Sequence, residues 1–214
     1  MTFSATNTTV RLHPLIIIDM IKGCCHKKFE RPEWDISFEK IRKMIPRMRE
    51  FSDVYRRLGA QIIWIRTVPW TEEYLPKNIN RLYHENPHAT FYTTHDVEES
   101  VEFCEEMNIQ FQDKIFVKNT YSAFANPDLL KFLREKEEDT YLIAGIFSGG
   151  CVNATIIDGF TKGLFTIILS DLVESMDGNQ GEQRQLLTHR WPSMYGHVMT
   201  SQDFLSRVTG SKKH

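Results

Sequence analysis

The sequence offers little to a nucleic acid or a membrane. Its 26 Lys and Arg face 28 Asp and Glu, for a net charge of −2. No long basic block occurs, and the Lys212–Lys213 pair is too short to track a phosphate backbone. Apolar runs are short, Leu15–Ile18 being typical, whereas a bilayer span needs about 20 residues. Met1–Val10 is polar and Thr-rich, without the basic start and apolar stretch of a signal peptide. Cysteine is sparse. The four residues Cys24, Cys25, Cys104 and Cys151 make no paired C-x-x-C units, which argues against a zinc ribbon. Vicinal Cys24–Cys25 fits a disulfide framework poorly, so a reducing compartment is the simpler reading. The expectation is a cytoplasmic protein with a small-molecule substrate and no nucleic-acid or membrane partner. No cofactor and no metal are expected, and the chain is expected to form a homo-oligomer, a dimer or tetramer.

What is present is the balance of a folded α/β protein. The 214 residues are 41% hydrophobic and 25% charged, enough for a full core without disulfide staples. One domain is expected over 1–214. Short apolar runs at Leu15–Ile18, Gln61–Ile65, Ile115–Val117, Thr140–Ala144, Phe165–Leu169 and His197–Thr200 read as strands. Between them, helical spacing recurs at about 37–58, with Ile41, Met44, Ile45, Met48, Phe51 and Tyr55 in phase. Pro46 either kinks this helix or opens its main part, and Gly59 stops it. Further helices are expected at about 127–136 and at Cys151–Lys162. Runs such as LIII and IIWI are apolar throughout, as in parallel strands buried on both faces. Alternation of strands and helices implies right-handed βαβ units and a doubly wound, Rossmann-like sheet. The stretch from about 67 to 113 is long, aromatic and proline-bearing, and reads as an insertion that caps a site.

Three strand ends carry chemistry. In Ala144-Gly-Ile-Phe-Ser-Gly-Gly-Cys-Val-Asn-Ala-Thr155 a strand runs through a Gly/Ser-rich turn, and a cysteine opens a helix. Unpaired N–H groups at a helix start stabilise a thiolate and an oxyanion, so the Cys151 pKa is expected to fall. A small inert core cysteine fits the same pattern. Asp19 directly follows Leu15–Ile18, at the carboxyl end of a strand, where open α/β sheets bind ligands. A turn or capping role fits it equally well. Lys118 follows Ile115–Val117, and taken alone reads as a solvated lysine.

Together Asp19, Lys118 and Cys151 resemble the catalytic triad of the isochorismatase-like cysteine hydrolases, a superfamily with nicotinamidases, N-carbamoylsarcosine amidases, ureidoacrylate amidohydrolases and biuret hydrolases. The motifs are IIIDM around Asp19, VKNTYSAF around Lys118 and AGIFSGGCVNAT around Cys151. The resemblance runs from Leu15 to about Phe204. It implies a three-layer αβα fold with a six-stranded parallel sheet of order 3-2-1-4-5-6, which sets the strands of Asp19 and Cys151 side by side. It implies that Asp19 takes the proton of Cys151 and that the thiolate attacks an amide-like carbonyl. Backbone N–H groups of Phe147 and Cys151 would hold the oxyanion, with Lys118 orienting and balancing charge. It also implies a cis peptide at Ile146–Phe147.

The chain departs from the family pattern in several places. Met20 and Ile21 follow Asp19, Cys24 stands where Phe is usual, and Ser148–Gly149 replaces a Thr-Asp pair. RTVPWTEEY occupies the place of the nicotinamidase Asp-x-His metal motif. His84 and His88 are four apart, but Pro87 lies between them, and they read as solvated. Cys24-Cys25-His26 has no partners at metal-ligand spacing in sequence. Trp70, Tyr74, Phe91, Tyr92, Tyr121 and Phe147 are candidates to line a substrate pocket, or else are core or interface. Arg66 either holds a substrate carboxylate or pairs with a nearby acid. The leading expectation is a cysteine-dependent hydrolase of a small amide, ureide or carbamoyl compound. Vinyl-ether hydrolysis of the isochorismatase type and an inactive binding protein are the alternatives.

Overall fold

The computed structural model describes residues 11–86 and 91–210. Met1–Val10, Pro87, His88 and Lys212–Lys213 lie outside them. Six strands form one sheet: β1 Leu15–Ile18, β2 Ile62–Thr67, β3 Lys114–Lys118, β4 Thr140–Ile146, β5 Phe165–Glu174 and β6 Gly196–Met199. The order is β3-β2-β1-β4-β5-β6, and every pairing is parallel. The longer helices are α1 Glu39–Arg57, α2 Lys77–Glu85, α3 Pro127–Glu135, α4 Asn153–Thr161 and α5 Ser201–Thr209.

The unbroken apolar run LIII follows from burial on both faces. Successive strand side chains point to opposite faces. Leu15 and Ile17 pack with Ile41, Met44, Met48 and Phe51 of α1 and Phe204 of α5. Ile16 and Ile18 pack with Leu129 and Leu133 of α3 and Ile156 of α4. Helices therefore cover both faces, as the three-layer reading expects. Each buried Ile, Met or Phe of α1 stabilises the fold by about 1.5–3 kcal/mol relative to exposure. The start of α1 is capped from across the chain: Asp177 accepts from Ser37 Oγ at 2.8 Å and from the Glu39 N–H at 2.7 Å.

Several boundaries differ from the sequence expectation. α1 begins well before Pro46 and continues past it. β2 extends through the polar Arg66 and Thr67 because these pair with Val117 and Lys118 of β3. Ladder pairing, not side-chain polarity, sets that strand's length. Gly145 has φ +112, and a Cβ there would lie 2.2 Å from the Ile18 carbonyl oxygen. Its lack of a side chain lets β4 lie against the end of β1, beside Asp19.

Between β2 and β3 the chain makes a long excursion that includes α2. Leu75, Ile79 and Tyr83 form a small cluster there, with Val68, Trp70 and Tyr92 against it. The excursion returns at Asp113, which takes hydrogen bonds from Arg56 Nη2 at 2.7 Å and Trp64 Nε1 at 2.9 Å. Among the described residues no helix is long and apolar enough to cross a membrane.

Candidate active site

β1, β3 and β4 deliver three side chains to one point at the carboxyl edge of the sheet. Asp19 ends β1 in a left-handed conformation, φ 53, which Asp tolerates better than most residues. Its N–H is held by the Ile65 carbonyl at 2.9 Å. Lys118 ends β3 in register with Thr67. From the edge strand its side chain spans the end of β2. Nζ lies 2.8 Å from Asp19 Oδ2 and donates to Cys151 Sγ at 3.3 Å and to the Thr120 carbonyl at 3.1 Å. Asp19 and Lys118 are 4% and 2% exposed, so the ion pair is shielded from solvent.

Cys151 sits in a wide turn, Ser148–Val152, that leads into α4. The regular helix starts at Asn153, later than the sequence pattern indicates. Gly150 breaks the turn, with φ −104 and ψ −108. The Phe147 carbonyl accepts the N–H groups of Gly150 at 2.9 Å and Val152 at 3.2 Å. Thr155 Oγ1 donates to the Cys151 carbonyl at 2.7 Å and accepts the Ala123 N–H at 3.0 Å. One hydroxyl thus ties the cysteine turn to the segment that follows β3. The Ile146–Phe147 peptide is cis.

The electrostatics correct one expectation. The position of Cys151 before a helix was expected to lower its pKa. Instead, burial pushes the thiol up to about 12; Lys118 pulls it down, but the Asp19 carboxylate pushes it up as well. A water-poor site and an adjacent carboxylate outweigh the helix end. Burial also works against the Lys118 ammonium, yet Asp19 and Cys151 more than offset it and its pKa is raised. At neutral pH the resting site therefore holds a protonated thiol beside a charged lysine.

These groups open into a cavity of about 310 Å³, the lower end of the usual small-molecule range. Trp70, Tyr121, Phe147 and Phe91 line it. Tyr92 does not line it, but packs behind it against Tyr83 at 5.0 Å between ring centroids. Tyr74 and Arg66 are corrected. Tyr74 is 43% exposed and lies off the cavity. Arg66 lies off it too, donating to the Val101 carbonyl at 3.4 Å. Arg66 belongs to β2, and strand alternation turns it away from the face that Thr67 shares with Lys118. His84 is exposed and meets Glu72 at 3.2 Å, away from the cavity.

The cavity also takes residues that no motif marked. Arg31, Phe38, Tyr83 and Glu182 all line it, together with Thr67 and with Cys24, which stands where the family pattern has Phe. Asp19 Oδ1 and Thr67 Oγ1 are buried without a hydrogen-bond partner among the described residues. Buried polar atoms are normally paired, so these two mark where a ligand's polar group fits. Among the described residues, the excursion after β2 brings Thr67, Trp70 and one imidazole, His95, to the lining but no carboxylate, so it does not supply a nicotinamidase-type Asp-x-His set. Elsewhere, ligand atoms of His26, Cys104 and Glu106 lie within 4.8 Å of one another. Of the Cys-Cys-His run, His26 alone belongs to this cluster.

A family model described as Isochorismatase domain matches residues 14–203. The maleamate amidohydrolase of Pseudomonas putida is 28% identical over 106 residues, covering 50% of this chain and 48% of that protein. The match thus spans about half the length of that curated relative. A cysteine hydrolase from Pseudomonas syringae pv. phaseolicola shares the fold, with TM-score 0.77 at 23% identity, covering 99% of this chain and 100% of that one. N-carbamoylsarcosine amidase from Thermoplasma acidophilum does so with TM-score 0.66 at 20% identity, covering 89% and 97%.

Proposed function

This chain belongs to the isochorismatase domain family, and on that premise we propose that it is a cysteine-dependent hydrolase of a small amide, ureide or carbamoyl compound. The observation that carries the proposal is the meeting of Lys118 Nζ with both Asp19 Oδ2 and Cys151 Sγ at the floor of a mostly apolar cavity. A catalytic base must stand within reach of the proton it takes. Asp19 is the only carboxylate among the described residues that the buried lysine touches.

The chemistry follows in two halves. Asp19 takes the thiol proton as Cys151 Sγ bonds to the substrate carbonyl carbon, and the carbonyl π electrons move onto oxygen. The oxyanion lies against the N–H groups of Phe147 and Cys151. Collapse re-forms the carbonyl and breaks the C–N bond, and Asp19 returns its proton to the leaving ammonia or amine. Water, deprotonated by Asp19, then adds to the thioester, and the second collapse frees the acid and the thiol. Lys118 keeps its charge throughout and balances the carboxylate and the transient sulfur anion. The high resting thiol pKa agrees with this scheme, because the thiolate forms only as it attacks. Vinyl-ether hydrolysis needs the acid but not the sulfur, and leaves the contact between Cys151 and Lys118 without a purpose.

The test is a panel of small amides, ureides and carbamoyl compounds scored for ammonia with wild-type protein and Cys151→Ala. Release by the wild type and none by the variant is expected. Equal release by both would overturn the cysteine mechanism.

A further inference from the structure

We propose that His26, Cys104 and Glu106 form a binding site for a divalent transition-metal ion of the zinc class, outside the catalytic cavity. Ligand atoms of the three lie within 4.8 Å of one another, and none of the three residues lines the cavity. Zinc takes thiolate, imidazole and carboxylate donors at about 2.0–2.3 Å, which sets them about 3.3–3.6 Å apart around one tetrahedral ion. Glu106 is exposed and His26 half-buried, so small side-chain rotations close the set and leave the ion a path of entry. Cys104 is buried, at 1% exposure. A lone thiolate is disfavoured in such a place, and a metal ion that replaces the thiol proton supplies the missing charge. With Cys104 deprotonated and Glu106 ionised, the donors carry two negative charges, the complement of a divalent ion. Sulfur and nitrogen donors argue against calcium and magnesium, which take oxygen. Three protein ligands leave one tetrahedral position for water.

The backbone places these donors together. His26 follows the helical turn Lys22–Cys25, and its N–H donates to the Lys22 carbonyl at 2.9 Å. Cys104 opens the tight turn Glu105–Met107, which carries Glu106, and the Cys104 carbonyl accepts the Met107 N–H at 3.0 Å. The two turns are zipped to each other. The Lys22 N–H donates to the Glu102 carbonyl at 2.8 Å, the Cys104 N–H donates to the Met20 carbonyl at 3.1 Å, and Ile21 forms an antiparallel bridge with Phe103. Glu105 stands beside the imidazole, with Oε2 3.9 Å from His26 Nε2 and Oε1 2.6 Å from Lys22 Nζ. A carboxylate beside a ligating imidazole orients the ring and raises its basicity. The zipped segments also form part of the cavity wall, through Ile21, Cys24, Ser100 and Val101. An ion held by His26, Cys104 and Glu106 therefore clips the loop after β1 to the excursion after β2, and steadies that wall from outside the cavity.

The experiment uses the full chain, stripped with a chelator and kept reduced. Binding of zinc ion alone is measured by calorimetry for wild type, His26→Gln and Glu106→Gln, with thermal melting beside it. One zinc ion per chain is expected for wild type. Losing an outer-shell partner of a metal ligand costs about 10- to 100-fold in affinity, so His26→Gln and Glu106→Gln, which each remove a ligand, should cost at least that. Zinc should raise the melting midpoint of wild type and do so far less for His26→Gln. Cobalt ion alone should give wild type a sulfur-to-cobalt charge-transfer band, retained in Cys151→Ala and absent from Cys104→Ser. No zinc binding by wild type overturns the proposal, as does unchanged affinity in folded His26→Gln. Loss of the cobalt band in Cys151→Ala overturns it as well, because the ion would then sit in the catalytic cavity. Should Cys104→Ser fail to fold, His26→Gln and Glu106→Gln decide, since both positions reach solvent. None of these readouts depends on amide hydrolysis, so this site and the hydrolase reading stand or fall separately.

Discussion

The floor and the roof of the cavity rest on different physics. The floor is three strand ends, fixed by the ladder β3-β2-β1-β4 and by a buried ion pair. The roof comes from the loop after β1, with Arg31 and Phe38, and from the excursion after β2, with Trp70 and Tyr83. Its own core is the small cluster of Leu75, Ile79 and Tyr83. Floor residues are placed by backbone hydrogen bonds that many residues share. Roof residues are placed by side-chain packing and a few isolated backbone bonds, such as the Arg31–Ile36 pair and Thr93 N–H to the Trp70 carbonyl. Changes to the floor should therefore alter chemistry and global stability, and changes to the roof should alter substrate preference.

The largest effect belongs to the base. Asp19→Asn keeps the shape and removes the proton acceptor. It also removes one of the causes that raise the Cys151 thiol, so a thiolate should form at lower pH than in the wild type. Turnover should nonetheless fall about 10²- to 10⁴-fold, the usual contribution of a positioned acid–base group. Steady-state kinetics and the pH dependence of Cys151 alkylation check the two halves. Retained turnover would break the distinction between floor and roof.

Lys118 comes next, and its effect is on the fold. Lys118→Met leaves Asp19 buried without its partner, and breaking such a pair typically costs 3–5 kcal/mol, read by denaturant unfolding. The pH profile of wild-type stability sharpens the point. The folded Cys151 thiol, at about 12, is raised above the ordinary thiol value of 9.0. Its contribution is therefore present below the unfolded value and lost as pH rises from about 9 toward 12, where the unfolded chain releases a proton that the folded chain keeps. Unfolding at stepped pH should show stability declining across that window, less steeply in Cys151→Ala. Identical slopes would remove the thiol from the cause.

The same contrast decides what the sequence discloses. β1 and Asp19 are legible because a strand buried on both faces must be apolar and its first charged residue must stand at its end. Cys151 is legible because a Gly-rich turn between strand and helix leaves a specific trace. Lys118 follows only from family resemblance, since no local pattern shows that a side chain from the edge strand reaches β1 across the end of β2. The neutral thiol escapes the sequence reading because burial is a property of the packed site, not of the turn. Arg31, Thr67 and Glu182 leave no trace, because the roof is assembled from distant segments with no periodicity. Arg66 and Tyr74 mislead for the same reason: their residue types suit a pocket, but strand alternation and the path of the excursion turn them elsewhere.

The smallest effect should come from the roof's own hydrogen bond. Trp70 Nε1 donates to Tyr83 Oη at 2.8 Å, and Trp70 packs against Tyr121 with ring centroids 5.9 Å apart. Tyr83 is 3% exposed. Tyr83→Phe removes the acceptor and keeps the ring, so the indole N–H loses a partner at a cost of about 1–3 kcal/mol if it stays buried. The small cluster bears that loss, while the ladder that fixes Asp19, Lys118 and Cys151 is untouched. KM should rise several-fold, while kcat stays within about twofold and the thermal midpoint falls modestly. Steady-state kinetics beside thermal melting read this out. A fall in kcat comparable to that of Asp19→Asn would show that the roof also positions the reacting groups, and floor and roof would then have to be treated as one catalytic unit.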